Sequence, residues 1–317
     1  MNNTIKNFGD FTNAVLGSIK TFLPESFAGA DISLQTVVKN NDVKLTGLNI
    51  RLADTCICPT IYLESFFEEY KKCESLDEVL MKIAEVRVRN EFRENFDMEI
   101  IMNFDKARKH IVPRLISRDK NMDALAGRPH KIIEDLAVTY AIELGSTNDG
   151  TMSTAVNNEM MKRWDVTVSE IHAEAIKNLP KIKKGTFQSM SEVMGAMMLK
   201  DLTAEYGDEE MAKEMMEQML PPDEPMFVLS CEDKLNGASQ ILNKDIMKKV
   251  VERIGSDFYV LPSSVHELLL VRNDAGVDPA YLRQMVREVN AAEVQESEQL
   301  SDNIYTWSAD AGLQIYE

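Results

Sequence analysis

One pattern of strands and helices occurs twice in the chain, first over residues 42–86 and again over residues 135–177. Each copy begins with a strand-like run, Asp42–Thr46 in the first and Asp135–Thr139 in the second, and continues with another strand and two helices. What repeats is the spacing of apolar residues, and neither copy contains a recognisable reactive group. The pattern predicts an α+β fold that contains two related β-hairpin-plus-helices units.

The last helix of each copy has the same start signal. Ser75 is followed three residues later by Glu78, and Thr167 is followed three residues later by Glu170. In such a capping box the hydroxyl accepts a hydrogen bond from an early helical amide, and the glutamate accepts one from the amide of the hydroxyl residue. Both helices are therefore predicted to begin at these residues, and Pro180 is predicted to end the second.

The Gly127–Pro129 segment is the best candidate for a boundary between two units. We predict an N-terminal α+β unit over residues 1–126 and a C-terminal α+β unit over residues 127–317. A helical pair over residues 187–222, begun by a capping box at Ser189, is predicted as an insertion in the second unit. An antiparallel sheet region covered by helices follows the insertion.

Residues 258–261 and 265–271 flank a turn at Pro262–Ser264 and predict a hairpin that is apolar on both faces. Pairing about that turn places one set on one face, namely Tyr259, Leu261, His266, Leu268 and Leu270. The opposite face then carries Phe258, Val260, Glu267, Leu269 and Val271. A strand pair that is apolar on both faces is usually central in its sheet and covered on each side.

The sequence argues against membrane and secreted proteins. It has no apolar run near the roughly 18 residues that a membrane span requires. The N-terminus has the pattern of a polar-faced helix and no secretory signal. Four scattered cysteines in 317 residues do not make a disulfide framework, so we expect reduced thiols and a cytoplasmic location.

The formal net charge of −17 argues against a nucleic-acid partner, because a phosphate backbone would be repelled. Basic residues are nevertheless concentrated over residues 106–131. Four of them are candidate anion-binding residues, namely Arg114, Arg118, Arg128 and Lys131. The alternative interpretation of this run is an ordinary solvated face.

His266, Glu267 and Ser264 are candidate ligand-site residues, because they lie beside the turn of the apolar hairpin. Adjacent strand residues point to opposite faces, so His266 and Glu267 do not easily act on one atom. A Ser–His pair would also need a third group to orient the imidazole. The alternative is a structural histidine, and we assign no catalytic residue.

We predict no metal site and no cofactor. One residue separates Cys56 from Cys58, whereas paired zinc ligands typically have two to four residues between them. His172 and Glu174 are spaced like the His-x-Glu of zinc deaminases, but the Pro-Cys-x-x-Cys that should follow is absent. His172 falls on the apolar stripe of its helix and is predicted to lie in the core or at its edge.

Eight of the nineteen methionines fall between Met190 and Met219. Methionine adapts to irregular surfaces, so these residues suggest a docking face for a partner protein. The candidate partner-surface residues are Met197, Met198, Met215 and Met219. The alternative is that the methionines form the core of the helical pair.

Four landmarks identify a resemblance: Pro59–Leu63, Asp135–Tyr140, Trp164 with the helix that follows it, and Leu261–Glu267. Over nearly its whole length the chain resembles a domain-of-unknown-function family found in gut Gram-positive bacteria. The Trp164 region also resembles, more weakly, a second such family from the same bacterial group. The resemblance implies a cytoplasmic bacterial protein and assigns no catalytic residue.

Two functions remain open from the sequence. The first is a non-enzymatic, acidic, cytoplasmic interaction or scaffold protein with a protein partner, suggested by the concentrated methionine and negative charge. The alternative is a metal-independent hydrolase or transferase acting on a charged small molecule or peptide, with His266 or Glu267 at a pocket rim.

Overall fold

The computed structural model describes residues 5–53, 58–91, 98–147, 150–219, 226–255 and 257–317. The side chains of residues 146, 147, 150, 151 and 217–219 lie outside the description. The α-helices are α1 Phe8–Ser18, α2 Leu63–Cys73, α3 Leu76–Arg89, α4 Glu99–Met102, α5 Phe104–Ala107, α6 Met122–Ala126, α7 Asn158–Trp164, α8 Val168–Ile182, α9 Met190–Tyr206, α10 Glu209–Met219, α11 Lys244–Ile254 and α12 Pro279–Ala292. The strands are β1 Asp31–Val38, β2 Lys44–Arg51, β3 Thr60–Tyr62, β4 Ile111–Ser117, β5 Lys131–Ile133, β6 Leu136–Thr147, β7 Gly150–Ala155, β8 Gly185–Ser189, β9 Met226–Cys231, β10 Phe258–Ser264, β11 Glu267–Arg272, β12 Tyr305–Ser308 and β13 Gly312–Ile315.

This mixture of helices and antiparallel sheets is an α+β fold, as predicted. The chain forms two compact units, one of residues 1–98 with 145–152 and one of residues 99–144 with 153–317. The proposed boundary at Gly127 lies inside the second unit, at the end of α6. Within the described ranges, no helix combines the length and hydropathy that a membrane span requires.

The first unit is a three-stranded antiparallel sheet, β1-β2-β3, with α1, α2 and α3. Its core contains Phe11 and Val15 of α1, Leu48 of β2 and Ile83 of α3, all of which are fully buried. The spacing of these apolar residues by three or four along α1 explains why one face of that helix is buried. Arg87 is also buried, and its Nε donates to the carbonyl of Ile50 at 2.9 Å.

The two segments with similar sequence patterns have the same order of elements. Residues 42–86 contain β2, β3, α2 and most of α3, and residues 135–177 contain β6, β7, α7 and most of α8. In both segments the two strands pair and two helices follow. Thr167 and Glu170 form the complete capping box, and Ser75 accepts from the amide of Glu78. A common origin of the two segments stays a prediction.

The larger sheet of the second unit has the order β13-β12-β10-β11-β9-β8, so the apolar hairpin β10–β11 is central, as predicted. The predicted pairing was wrong by one residue. Tyr259 pairs with Val271 and Leu261 pairs with Leu269, because an irregularity between Leu261 and Ser264 shifts the register. Tyr259, Leu261 and Val271 consequently pack together with Leu282 of α12, whereas Phe258, Val260 and Leu270 belong to the main core.

The smaller sheet is built on β6, which pairs with β4 on one edge and with β5 and β7 on the other. Asn178 of α8 donates to the carbonyls of Arg108 at 2.7 Å and Ile111 at 2.9 Å, and so α8 protects the outer edge of β4. Pro180 does not end α8, which continues to Ile182. A proline in the last turn removes one backbone hydrogen bond, and the amide of Lys183 still bonds to the carbonyl of Leu179.

Candidate functional site

The helical pair is shorter than its predicted range of 187–222. Residues 187–189 belong to β8, which pairs antiparallel with β9 in the larger sheet. The pair consists of α9 and α10 and connects two neighbouring strands of that sheet. We call residues 190–219 the methionine hairpin.

Local signals in the sequence position the methionine hairpin. Ser189 and Glu192 form the predicted capping box at the start of α9, with hydrogen bonds of 3.1 Å and 2.6 Å. Glu192 also accepts from Arg253 of α11 at 2.9 Å, and this hydrogen bond lowers the pKa of the carboxyl group. Gly207, at φ 70°, ends α9 in the left-handed conformation that glycine adopts without strain.

Most side chains of the methionine hairpin face solvent. Among its described side chains, only Gly195 and Ala212 are buried. Met197 is 57% exposed, and Met194 and Met211 are 47% and 48% exposed. Of the other methionines predicted for the partner surface, Met198 and Met215 are half-buried, and the side chain of Met219 lies outside the description. Met194 and Met197 are three residues apart in α9 and so share one face of that helix, and exposed apolar side chains on one face are typical of binding surfaces.

The methionine hairpin is also strongly acidic. Residues 190–219 contain eight Asp or Glu and two Lys, namely Lys200 and Lys213. Lys213 forms an ion pair with Glu209, and the hydrogen bond between them lowers the pKa of that carboxyl group. The exposed methionines are thus surrounded by excess negative charge, which repels acidic partners and attracts basic ones.

A second exposed apolar surface lies in the first unit. Met81, Ala84, Glu85 and Val88 of α3 line an open groove of about 510 Å³ together with Phe22, Pro24 and Arg89. Met81 is 49% exposed, as much as the methionines of the hairpin. Its lining contains one carboxylate and one guanidinium, Glu85 and Arg89, so Met81 matches the hairpin methionines in exposure without their excess of negative charge and is a suitable control residue.

His266 makes structural hydrogen bonds. Its Nδ1 accepts from the amide of Asn236 at 3.1 Å, and its Nε2 lies 3.4 Å from a carboxylate oxygen of Glu298. The carbonyl of His266 accepts from the Ser230 hydroxyl at 2.8 Å. Because Nδ1 is an acceptor, the ring proton is on Nε2 and faces the carboxylate. Both ring nitrogens therefore connect the hairpin turn to neighbouring loops.

Ser264 and Glu267 also have local partners. The Ser264 hydroxyl accepts from the amide of His266 at 3.0 Å, and Glu267 accepts from the Ser263 hydroxyl at 3.4 Å. The imidazole of His266 is thus directed at Asn236 and Glu298, while the Ser264 hydroxyl bonds to its backbone amide. The three residues stay candidates, but their geometry does not form a nucleophile and base pair.

The four candidate anion-binding residues do not lie together. Arg118 pairs with Asp119 at 2.7 Å and also donates to the carbonyl of Glu134. Lys131 lies on the α8 side of the small sheet near His172, where burial and, after it, the charge of Lys131 lower the pKa of the imidazole. Burial, and after it the charge of Arg114, lowers the pKa of Arg128, so these two cations lie in the same part of the unit. Only this pair remains as a possible anion site among the four.

A buried ionic cluster was not predicted. Lys183, whose side chain is 6% exposed, forms an ion pair with Asp233 at 2.6 Å and lies 3.9 Å from Glu143. The thiol of Cys231 donates to Asp233 at 3.0 Å, and burial followed by this contact raises the pKa of the thiol to about 12. A thiol with so high a pKa is a structural donor and a poor nucleophile.

Among the residues that the structure describes, no group of His, Cys, Asp and Glu side chains could hold a metal ion. Cys56, one of the two cysteines considered in the sequence, lies outside these residues. Cys58, Cys73 and Cys231 are free thiols. Nothing in the described arrangement calls for a particular cofactor.

His172 lies at the edge of the core, as its position on the helix stripe predicts. The hydroxyl of Tyr140 is 3.1 Å from its Nδ1, and the two rings meet edge to face. Burial is the main cause that lowers the pKa of His172, with a smaller effect from Lys131. The neutral ring is therefore the folded form near neutral pH.

We expect His172 to make the protein less stable as the pH falls below the unfolded pKa of about 6.5. The unfolded chain then binds a proton that the folded ring binds only at lower pH, so the free energy of unfolding drops by up to about 1.4 kcal/mol per pH unit. His172→Gln should lose this part of the pH dependence in urea denaturation between about pH 7.5 and pH 5.5. Identical pH dependence in the variant and the natural protein would contradict the assignment.

Comparison with protein families gives one result that covers most of the chain. Residues 8–309 match the family of unknown function DUF5688. Comparisons with curated proteins and with solved structures found no significant match. With some three hundred consecutive residues matched, this chain belongs to the DUF5688 family.

Proposed function

We propose that this protein is a non-enzymatic interaction protein, and that its methionine hairpin binds a basic, amphipathic helical segment of a partner protein. The observation that carries the proposal is the exposure of Met194, Met197 and Met211 on a helical pair with eight acidic and two basic residues. The cytoplasm of a bacterium, where thiols stay reduced, is the proposed setting.

The chemistry of the methionine hairpin favours this kind of partner. Methionine side chains are unbranched and polarisable, so they adapt to the apolar face of a helix without requiring one shape. The surrounding carboxylates attract lysine and arginine, which raises the association rate at low salt. An amphipathic helix presents both features at once, because its apolar residues form one face and its basic residues border that face.

The same geometry disfavours the hydrolase or transferase alternative. The ring nitrogens of His266 are directed at Asn236 and Glu298, and the thiol of Cys231 is bonded to Asp233. In a nucleophilic enzyme one of these groups would face a space that can hold substrate. The described residues support a surface function better than this chemistry.

Binding of a synthetic amphipathic helical peptide of lysine and leucine tests the proposal. The variant with Met194→Gln, Met197→Gln and Met211→Gln should raise Kd about tenfold or more, because exposed anchors are lost without disturbing the core. Met81→Gln should leave Kd within about twofold, although Met81 is equally exposed. Fluorescence anisotropy of the labelled peptide measures each Kd.

The charge requirement is tested in the same assay. Binding should weaken strongly at about 1 M salt, where the Debye length is about 3 Å, and a peptide with glutamate in place of lysine should not bind. Equal affinity in the triple methionine variant, or an equal loss in Met81→Gln, would overturn the proposal. A variant that lacks the methionine hairpin should retain Ser189, because Ser189 is the last residue of β8 and β8 pairs with β9 in the larger sheet.

A further inference from the structure

Arg114 reaches across the small sheet. It belongs to β4, yet its Nη2 donates to the hydroxyl of Ser153 in β7 at 2.6 Å and to Glu143 at 3.3 Å. Because β6 lies between β4 and β7, the side chain of Arg114 crosses β6. Small residues make this crossing possible, since Thr139 pairs with Arg114 and Ala141 follows on the same face. The guanidinium therefore lies near the β7 edge.

Arg128 approaches the same edge from the segment before β5. The neighbouring Gly127 carbonyl accepts from the amide of Asn158, just after β7, at 3.0 Å. Both β5 and β7 pair with the edge of β6 opposite β4. Arg128 thus lies at the same edge of β6 as Ser153, and burial followed by the charge of Arg114 lowers the pKa of Arg128.

The charges in this part of the unit do not balance. Three cations, Arg114, Arg128 and Lys183, have two carboxylate partners between them. Glu143 lies within ion-pair distance of Arg114 and Lys183, and Asp233 pairs with Lys183. Within the described parts of the chain, no carboxylate forms an ion pair with Arg128. The buried Nε of Arg114 also has no partner there. An excess positive charge in a half-buried site favours an anion.

We propose that Arg114, Arg128 and the Ser153 hydroxyl form a binding site for the phosphate group of a small molecule. Guanidinium groups donate pairs of parallel hydrogen bonds to phosphate oxygens, and a hydroxyl can supply a further donor. The site is independent of the methionine hairpin, because it is on the small sheet and uses positive charge. It gives this acidic protein a means of responding to a phosphorylated metabolite.

Isothermal titration calorimetry with inorganic phosphate at constant ionic strength tests the site. The natural protein should bind phosphate, and Arg128→Gln should raise Kd at least tenfold, since a charged hydrogen bond is worth about 1.5–3 kcal/mol. Arg118→Gln should leave Kd unchanged, because Arg118 pairs with Asp119 outside the site. Ser153→Ala should raise Kd about fivefold without removing any charge.

A thermal unfolding series with the same variants gives a second readout. Phosphate at about tenfold above Kd should raise Tm by about 3–5 °C in the natural protein and in Arg118→Gln, but not in Arg128→Gln. Chloride at equal ionic strength should give no such rise. The proposal is overturned if the natural protein binds no phosphate, if chloride has the same effect, or if Arg118→Gln weakens binding as much as Arg128→Gln.

Discussion

Replacing Lys183 by alanine is expected to lower the free energy of unfolding by about 3 kcal/mol. The Lys183 side chain is 6% exposed, and its ammonium group bonds to Asp233 at 2.6 Å. Its removal leaves Asp233 without its cation and Glu143, 9% exposed, with Arg114 alone. Burial by itself raises the pKa of Asp233, but hydrogen bonds from Lys183 and Cys231 hold it below its usual value. The cost of losing the lysine therefore falls mainly on the buried carboxylate of Glu143, because water reaches the side chain of Asp233, which is 38% exposed.

Lys184 provides a matched control for this substitution. It is the next residue, and its pair with Glu232 is 68% and 64% exposed. Because exposed ion pairs contribute little, Lys184→Ala should change the free energy of unfolding by less than about 0.5 kcal/mol. Urea denaturation followed by circular dichroism measures both variants. Equal effects of the two substitutions would contradict the account of the buried cluster.

Gly237→Ala is expected to lower the free energy of unfolding by about 3 kcal/mol or more. A Cβ at this position would lie 2.4 Å from the carbonyl oxygen of His266 and 2.8 Å from the amide nitrogen of Cys231. Both are backbone atoms in the larger sheet and its central turn, so neither can move without disturbing a strand. Gly237 is required by this close approach, since its φ is not in the left-handed region.

Gly127→Ala is the corresponding control in the same unit. Its Cβ would meet the carbonyl oxygen of Ala124 at 3.7 Å, an ordinary contact, and its φ of −93° suits alanine. We expect a change of less than about 1 kcal/mol in urea denaturation. If Gly237→Ala were as stable as Gly127→Ala, the tight packing between Gly237 and the turn at His266 would be wrong.

Local sequence signals predicted most helices and the central hairpin. The capping boxes at Thr167 and Ser189 fixed the starts of α8 and α9, because each satisfies backbone amides within one turn. Apolar residues on both faces of β10 and β11 correctly predicted a central strand pair. These features depend on neighbours in the chain, which is why a single sequence contains them.

Features that depend on tertiary contacts were missed. β8 has one large apolar residue, Phe187, in five positions, and it becomes a strand because it pairs with β9. The register of the central hairpin shifted by one residue because of an irregularity in the turn, which no periodicity indicates. Lys183 lies among other lysines in the sequence, and only the fold buries it against Asp233.

For the candidate sites as well, the sequence indicated a region, and the fold was needed to select the residues. The count of methionines between residues 190 and 219 predicted a partner surface, which stays a prediction, and only the fold shows that Met194 and Met211 are more exposed than Met198 and Met215. The concentration of basic residues predicted an anion site of four members. The fold narrows this set, because the side chain of Arg114 crosses β6 to the edge where Arg128 lies. Arg118 is excluded from the proposed site because it pairs with Asp119.

Methyl nuclear magnetic resonance of protein labelled with ¹³C at its nineteen methionines tests the central claim most directly. On titration with the lysine–leucine helical peptide, the methyl signals of Met194, Met197 and Met211 should shift and saturate. The signal of Met247, buried in the core of the second unit, should stay in place. Binding of the peptide without any shift of the three hairpin methionines would contradict the claim that the methionine hairpin is the docking surface.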